Sequence, residues 1–333
     1  MSELTKNKEK INWGILSTGE IAARMSQVLI ETEDANLLAV ASRSGKKSQD
    51  FAQKWDIPRS YGSYEELVQD PDIDVVYIGT PNICHYENIL MCLNNGKSVL
   101  CEKPFVINYK QSQEVMELAK EKNLFLMEAH KSYFMPGIKK IRELIENDSI
   151  GKVNSLSASF CTEAPFDVNN RFFNLNMGGG ALLDVGVYTI LFAIYVLGYP
   201  TEINAKTVIC ETGVDVFSEI TLKHESGGSS ILTCGINGAA PRVAIIKGEN
   251  GYIKVQEPFH QAPRLILKSG NNDEVEIDTS FTCKDLLFEA QRVTESLKNA
   301  ETECAEFPLA KTLEILKVVD FIREKCGLKY PNE

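Results

Sequence analysis

From Asn12 to Glu128 the chain repeats one pattern: a short apolar run, a cluster of turn-forming residues, then a longer stretch of helical periodicity. The apolar runs are Asn12–Ser17, Leu37–Ala41, Asp74–Ile78, the run ending at Cys101, and Leu124–Glu128, with a short extra strand at Tyr61. Helical stretches fill the gaps, through Ile30, over Ser48–Trp55, after Ser63, from His85, and over Tyr109–Lys122. Ser63 and Glu66 have the spacing of a capping box. Strands and helices alternating roughly every twenty residues predict an α/β domain, a doubly wound parallel sheet with helices on both faces. In such an open sheet ligands bind beyond the carboxyl ends of the strands. Function is therefore to be sought in the residues that follow each run.

Four strand ends carry chemistry. The first delivers Ser17-Thr18-Gly19-Glu20-Ile21-Ala22, a dinucleotide fingerprint with serine at the first glycine. Gly19 keeps the second position, where a side chain would hold the backbone away from a pyrophosphate, and the helix N-terminus supplies amides and a positive dipole end. The second strand ends in Ser42-Arg43-Ser44, with Lys46 and Lys47 behind, and lacks the acid that an NAD-preferring fold places there. A hydroxyl and a guanidinium suit a 2′-phosphate instead, so Ser42, Arg43 and Lys47 predict NADP over NAD. The bland alternative is a solvated basic turn. The next end carries Thr80-Pro81-Asn82 and then His85, which opens a helix. Alone, His85 reads as a local hydrogen bonder. The last carries Glu102-Lys103-Pro104, which puts Lys103 where cofactor and substrate would meet. Cys101 just before it has no evident histidine partner and reads as a small strand residue.

After Leu124–Glu128 come Lys131-Ser132-Tyr133-Phe134 and a helix over Gly137–Asn147, and the domain is expected to change near Gly151. A strand over Val153–Cys161 leads to Arg171 and then Gly178-Gly179-Gly180-Ala181-Leu182-Leu183-Asp184-Val185-Gly186-Val187-Tyr188. Three glycines in a helix interior are costly, so they predict a flexible entry to a helix over Ala181–Leu197. Asp184 and Tyr188, four apart, would share a face. A buried aspartate is expensive unless bonded, which leaves two readings open: a working carboxylate, or one that merely binds neighbouring backbone. From Glu202 onward short runs separated by Gly, Asn and Pro predict an α+β domain with a mostly antiparallel open sheet, closed by helices over Asp285–Asn299 and Leu309–Cys326.

The chain of 333 residues is long for one core. The expected division is a disordered tail at 1–10, a dinucleotide-binding domain at 11–130, a substrate-binding and oligomerisation domain at 131–310, and a C-terminal helix at 311–333. A net charge of −11 argues against nucleic acid or an anionic membrane as partner. No stretch reads as an uninterrupted membrane span; the most apolar, Ala181–Leu197, contains Asp184. Nine cysteines without paired or metal-ligand spacing suggest reduced thiols in a cytoplasmic protein with no metal.

Taken together, Ser17–Ala22, Thr80-Pro81 with His85, Glu102-Lys103-Pro104 and the Gly178–Tyr188 stretch resemble the glucose–fructose oxidoreductase / inositol dehydrogenase / MocA family of nicotinamide-dependent oxidoreductases. The likeness runs from about Asn12 to the last helix. In motif it is closest to the sugar and dihydrodiol dehydrogenase branches, some of which also carry serine at the first glycine. Other branches place histidine where Tyr188 stands. The resemblance implies that Lys103 lies beside the nicotinamide and the substrate, and that Thr80, Pro81, Asn82, His85 and Glu102 belong to the cofactor pocket. It also implies a last helix returning towards the first domain, and a homodimer or homotetramer built through the C-terminal sheet. Many relatives have arginine where this chain has Tyr133.

The implied reaction is hydride transfer between NADP and a carbinol or hemiacetal carbon of a sugar or trans-dihydrodiol. A base must take the hydroxyl proton. A tyrosine with a pKa near ~10 does so only if a neighbouring cation favours its phenolate. Lys103 with Tyr188 makes such a pair, Asp184 would hold a substrate hydroxyl or orient Lys103, and Arg171 and Tyr133 are further candidates for substrate contact. Two other classes compete: a dinucleotide-binding regulator without catalysis, and a glycosidase that uses transient oxidation. Keeping Lys103, Asp184 and Tyr188 together argues against the regulator.

Overall fold

A computed structural model describes residues 8–331 and 333. Most of the tail expected at 1–10 lies outside the described residues, and the described end is tied down, with the Lys8 Nζ 2.5 Å from Asp74. Contacts divide the chain into two compact units, residues 1–131 with 283–313, and residues 132–282 with 314–333.

In the first unit the apolar runs become strands β1 (Ile11–Leu16), β2 (Ala35–Ala41), β3 (Arg59–Tyr61), β4 (Val75–Ile78), β5 (Ser98–Glu102) and β6 (Leu126–Ala129). All neighbours pair parallel, in the order β3-β2-β1-β4-β5-β6. Helices α1 (Glu20–Glu31), α2 (Gly45–Trp55), α3 (Tyr64–Val68), α4 (His85–Asn94) and α5 (Tyr109–Lys122) make the crossovers. The central strands are covered on both faces, which explains why they read as continuous apolar runs. Every residue of β4 is fully buried, and each such aliphatic side chain contributes about 1.5–3 kcal/mol over exposure. The helix starts are set by side chains: Ser44 accepts from the Lys47 amide, and Asn108 from the Gln111 amide at 2.8 Å. Half of the expected capping box forms, with Ser63 accepting from the Glu66 amide at 3.2 Å. Glu66 reaches back to the Gly62 amide at 3.0 Å, one residue before the cap. Strand order reverses between β1 and β4, the switch point at which this topology opens a crevice.

The second unit begins with α6 (Pro136–Glu146), which has proline in its first turn, and β7 (Val153–Glu163). An apolar helical segment follows, in two parts: a π-helical turn over Leu182–Gly186, then α7 (Val187–Leu197). Strands β8 (Pro200–Ile209), β9 (Asp215–His224), β10 (Ser229–Gly235), β11 (Asn237–Ala240), β12 (Ala244–Gly248), β13 (Gly251–Val255), β14 (Arg264–Ser269) and β15 (Val275–Asp278) complete a nine-stranded sheet. Its order is β15-β14-β13-β12-β7-β10-β9-β8, with β11 also on β7. Pairing is antiparallel except between β7 and β10. One face, through β7 and β10, packs on α7. The segment Leu175–Leu197 does have the length and mean hydropathy, 2.0, of a membrane span, contrary to the sequence expectation, but 89% of that window is buried inside the protein. It is a core helix.

The chain then adds α8 (Leu287–Lys298) to the first unit. There the Leu126 amide of edge strand β6 donates to the Thr302 carbonyl at 3.1 Å. The expected boundary at 310 puts residues 283–310 with the second unit instead. Only contacts made far along the chain reassign them. The last helix, α9 (Leu309–Cys326), begins in the first unit, and residues 314–333 cluster with the second.

Candidate active site

In the first unit every expected cofactor residue sits at the carboxyl edge of the sheet. Ser17 follows β1 with a φ of +112°, a conformation that suits glycine far better than serine. Its hydroxyl accepts from the Gly19 amide at 3.1 Å, which stabilises the turn that the missing glycine would otherwise make. Thr18 lies between them, Gly19 caps α1, and Glu20 and Ile21 open it. A Cβ at Gly19 would meet only the Ser17 hydroxyl, at 3.3 Å, so the helix start is open to a pyrophosphate. Ser42 follows β2, buried, and accepts weakly from the Ser44 amide at 3.4 Å. Arg43 and Lys47 are exposed beside it. This edge fits a dinucleotide, with amides for the pyrophosphate and cations at the ribose end.

His85 holds two loops together. Fully buried, it places Nδ1 2.8 Å from the Pro104 carbonyl and Nε2 2.9 Å from the Thr80 carbonyl. Burial lowers its pKa, against those two carbonyls, and the Lys103 charge lowers it further. The ring bridges the ends of β4 and β5; a neutral imidazole donates to one of the two carbonyls, and only the imidazolium could donate to both. Thr80 is fixed from a second side, its hydroxyl accepting from the Asn88 side chain at 2.9 Å. Pro81 and Asn82 form the turn between Thr80 and His85.

Around the end of β5 lie three carboxylates, of which the sequence singled out only Glu102. Glu102 accepts from the Tyr77 hydroxyl at 2.5 Å. Burial raises its pKa against Tyr77, Lys103 and Lys131. Glu289 of α8 is fully buried, and burial first, then the Glu102 charge, lifts its pKa well above the usual range. Glu128 of β6 accepts from the Phe105 amide at 3.2 Å and from the Thr312 hydroxyl at 2.8 Å, which anchors the turn two residues past Lys103. Burial raises it to about 7. A polar residue ending a buried strand was the available signal for Glu128; nothing marked Glu289.

In the second unit Tyr188 and Tyr133 come together. Both line a pocket with Ser132, Phe192, Tyr195 and His260. The Tyr188 ring lies 5.3 Å from Phe160 and 5.3 Å from His260, and Phe160 stacks on His260 at 4.7 Å. Tyr133 meets Tyr195 edge-on at 5.2 Å, and its hydroxyl accepts from Arg142 at 2.7 Å. His260 and Arg142 carry no sequence signal, since one is in a loop and the other in the middle of an amphipathic helix.

Asp184 and Arg171 also come together, the guanidinium donating to the carboxylate at 2.9 Å over the face of Phe172. The expected geometry of this segment needs two corrections. Asp184 and Tyr188 do not share one regular α-helix, because the turn between them is π-helical, closed by the Val187 amide on the Leu182 carbonyl. Nor do Gly179 and Gly180 make a flexible entry. A Cβ at Gly179 would lie 2.6 Å from the Arg171 carbonyl, and one at Gly180, whose φ is +121°, would lie 2.2 Å from Asp215. Glycine is there for close packing. Asp215, which opens β9, is fully buried, and burial raises its pKa to about 7.

Comparison with known proteins places these residues in context. Residues 11–130 match the model of an oxidoreductase family with an NAD-binding Rossmann fold, and residues 138–254 match the GFO/IDH/MocA C-terminal domain. The chain is 37% identical over 331 residues to trans-1,2-dihydrobenzene-1,2-diol dehydrogenase from Xenopus laevis, covering 96% of this chain and 99% of that one. Its identity to the mouse protein of the same name is 34%, over 97% and 99% of the two chains. Among solved structures, a 3-ketoreductase from Actinomadura kijaniata in complex with NADP and TDP-benzene superposes with a TM-score of 0.86 at 24% identity, over 95% and 97% of the chains. An aldose-aldose oxidoreductase from Caulobacter crescentus superposes with a TM-score of 0.86 at 21% identity, over 96% and 98%.

Proposed function

The chain belongs to the GFO/IDH/MocA family of oxidoreductases, and from that membership we propose that it is an NADP-dependent dehydrogenase of trans-dihydrodiols or sugars. The observation that carries this reading is the setting of Tyr188: a phenol only 8% exposed, at the wall of an aromatic pocket. The chain around it also spans nearly the whole length of the dihydrodiol dehydrogenases it matches.

Oxidation of a carbinol removes a hydride from carbon and a proton from oxygen, leaving a carbonyl. The nicotinamide, when bound, supplies the hydride acceptor. Gly19 and the start of α1 would hold the pyrophosphate, Ser42 and Arg43 the 2′-phosphate, and the Thr80–His85 loop the ribose beside the ring. Tyr188 would take the hydroxyl proton, with Lys103 as its partner. The pairing of these two residues is taken from the family resemblance. Asp184, held by Arg171, accepts a hydrogen bond from a second substrate hydroxyl. Aromatic walls favour a ring carbon skeleton over a fully hydroxylated one, which places the dihydrodiol ahead of the sugar. The outer face of the C-terminal sheet, with Val208 and Ile231 exposed, is the proposed surface for a homo-oligomer.

The test is reduction of NADP and NAD, followed optically, with trans-1,2-dihydrobenzene-1,2-diol, aldoses and inositols. Free NADPH should accumulate with the diol, and Lys103→Ala and Tyr188→Phe should each lose roughly 10²-fold or more in turnover while still binding NADP. A Tyr188→Phe enzyme of unimpaired rate would remove Tyr188 from the chemistry. Ser42→Asp combined with Arg43→Ala should weaken NADP far more than NAD. Equal affinity for both cofactors in the wild type would overturn the NADP preference.

A further inference from the structure

We propose that Asp215, with Tyr330, is a positioning residue for this reaction, clamping the turn that carries Asp184 and leads to Tyr188. The proposal rests on the function just given. Three contacts converge on the turn. The Asp215 Oδ2 accepts from the Leu182 amide at 2.6 Å. Leu182 is also the residue whose carbonyl closes the π-helical turn, so Asp215 fixes the point at which the wider turn begins. The Tyr330 hydroxyl donates to the Gly179 carbonyl at 2.5 Å. Between them Gly180 leaves no room: its missing Cβ would lie 2.2 Å from the Asp215 Oδ1 and 3.1 Å from the Tyr330 hydroxyl.

The clamp reaches the working groups in two short steps. Asp184 is two residues beyond Leu182, and its amide returns to the Gly180 carbonyl at 3.2 Å. Gly179 packs on the backbone of Arg171, whose side chain holds Asp184. A π-helical turn is a rare conformation in which a one-residue slip to ordinary α-helix is always near, and such turns gather at functional sites. A slip here would rotate Asp184 relative to Tyr188. The buried carboxylate, rather than any helix propensity, selects the wider turn.

The experiment uses the full chain with NADP bound, and compares Asp215→Ala, Asp215→Asn and Tyr330→Phe. Asp215→Ala should lose roughly tenfold or more in kcat with the dihydrodiol, the scale of a small misplacement of reacting groups. NADP affinity, read by fluorescence, should not move. Asparagine keeps an acceptor for the Leu182 amide, so Asp215→Asn should recover most of that loss. Hydrogen exchange should quicken across residues 179–188 in Asp215→Ala and Tyr330→Phe. Unchanged exchange there in both variants would overturn the proposal, as would an Asp215→Asn enzyme as slow as Asp215→Ala. If Asp215→Ala does not fold, Tyr330→Phe decides alone, through local exchange and kcat. Exchange is read without turnover, so a wild type that oxidises no diol or sugar would sink the functional reading while leaving the clamp testable.

Discussion

Ser17 shows what a single departure from a motif costs and how it is offset. A non-glycine residue at a φ of +112° carries about 1–3 kcal/mol of backbone strain, partly returned by the hydrogen bond from the Gly19 amide. Ser17→Gly should therefore raise the melting temperature of the cofactor-free protein, a gain on the order of 1 kcal/mol after the added freedom of the unfolded chain is counted. A lower melting temperature would mean that the hydroxyl bond outweighs the strain. That the candidate cofactor residues lie at the sheet's carboxyl edge was legible because they follow apolar runs at fixed offsets; the roles of Thr80, His85 and Glu102 came from the family resemblance. Asp215, Glu128 and His260 were not legible. Each matters through a partner far away in sequence, and no spacing rule joins Asp215 to Leu182 or Glu128 to Thr312.

Among the elements, β6 carries the clearest pH dependence. Glu128 is fully enclosed, and burial raises its pKa from 4.5 to about 7. A raised folded pKa means that the folded chain keeps a proton the unfolded chain has released. Its contribution is complete below 4.5 and is lost as pH rises through about 7. Wild type should therefore lose on the order of 2–3 kcal/mol relative to Glu128→Gln between about pH 5 and pH 8, read by urea unfolding. Parallel curves for the two proteins would show that Glu128 titrates normally. Element types were readable from periodicity almost throughout, including the helix cap at Ser63. The π-helical turn was not, because a helix buried nearly all round has no solvent face whose phase could reveal an extra residue in one turn.

At the scale of the whole molecule, the division into two units was legible and the membership of residues 283–310 was not. Their helical pattern is the same whichever core they join. The outer face of the C-terminal sheet leaves Val208 at 52% and Ile231 at 55% exposure, on strands β8 and β10 of one sheet. If this face joins copies of the chain, Val208→Lys with Ile231→Lys should lower the sedimentation mass without altering the far-ultraviolet dichroism. An unchanged mass would place the contact elsewhere. The hydrogen bond from Leu126 to Thr302 also has a bearing on biosynthesis. While the ribosome is still making the middle of the protein, the rim of the nucleotide sheet has its ladder groups bare and remains adhesive towards other nascent chains. That rim is covered only after Thr302 has been made, so β6 depends for its protection on a segment far along the chain.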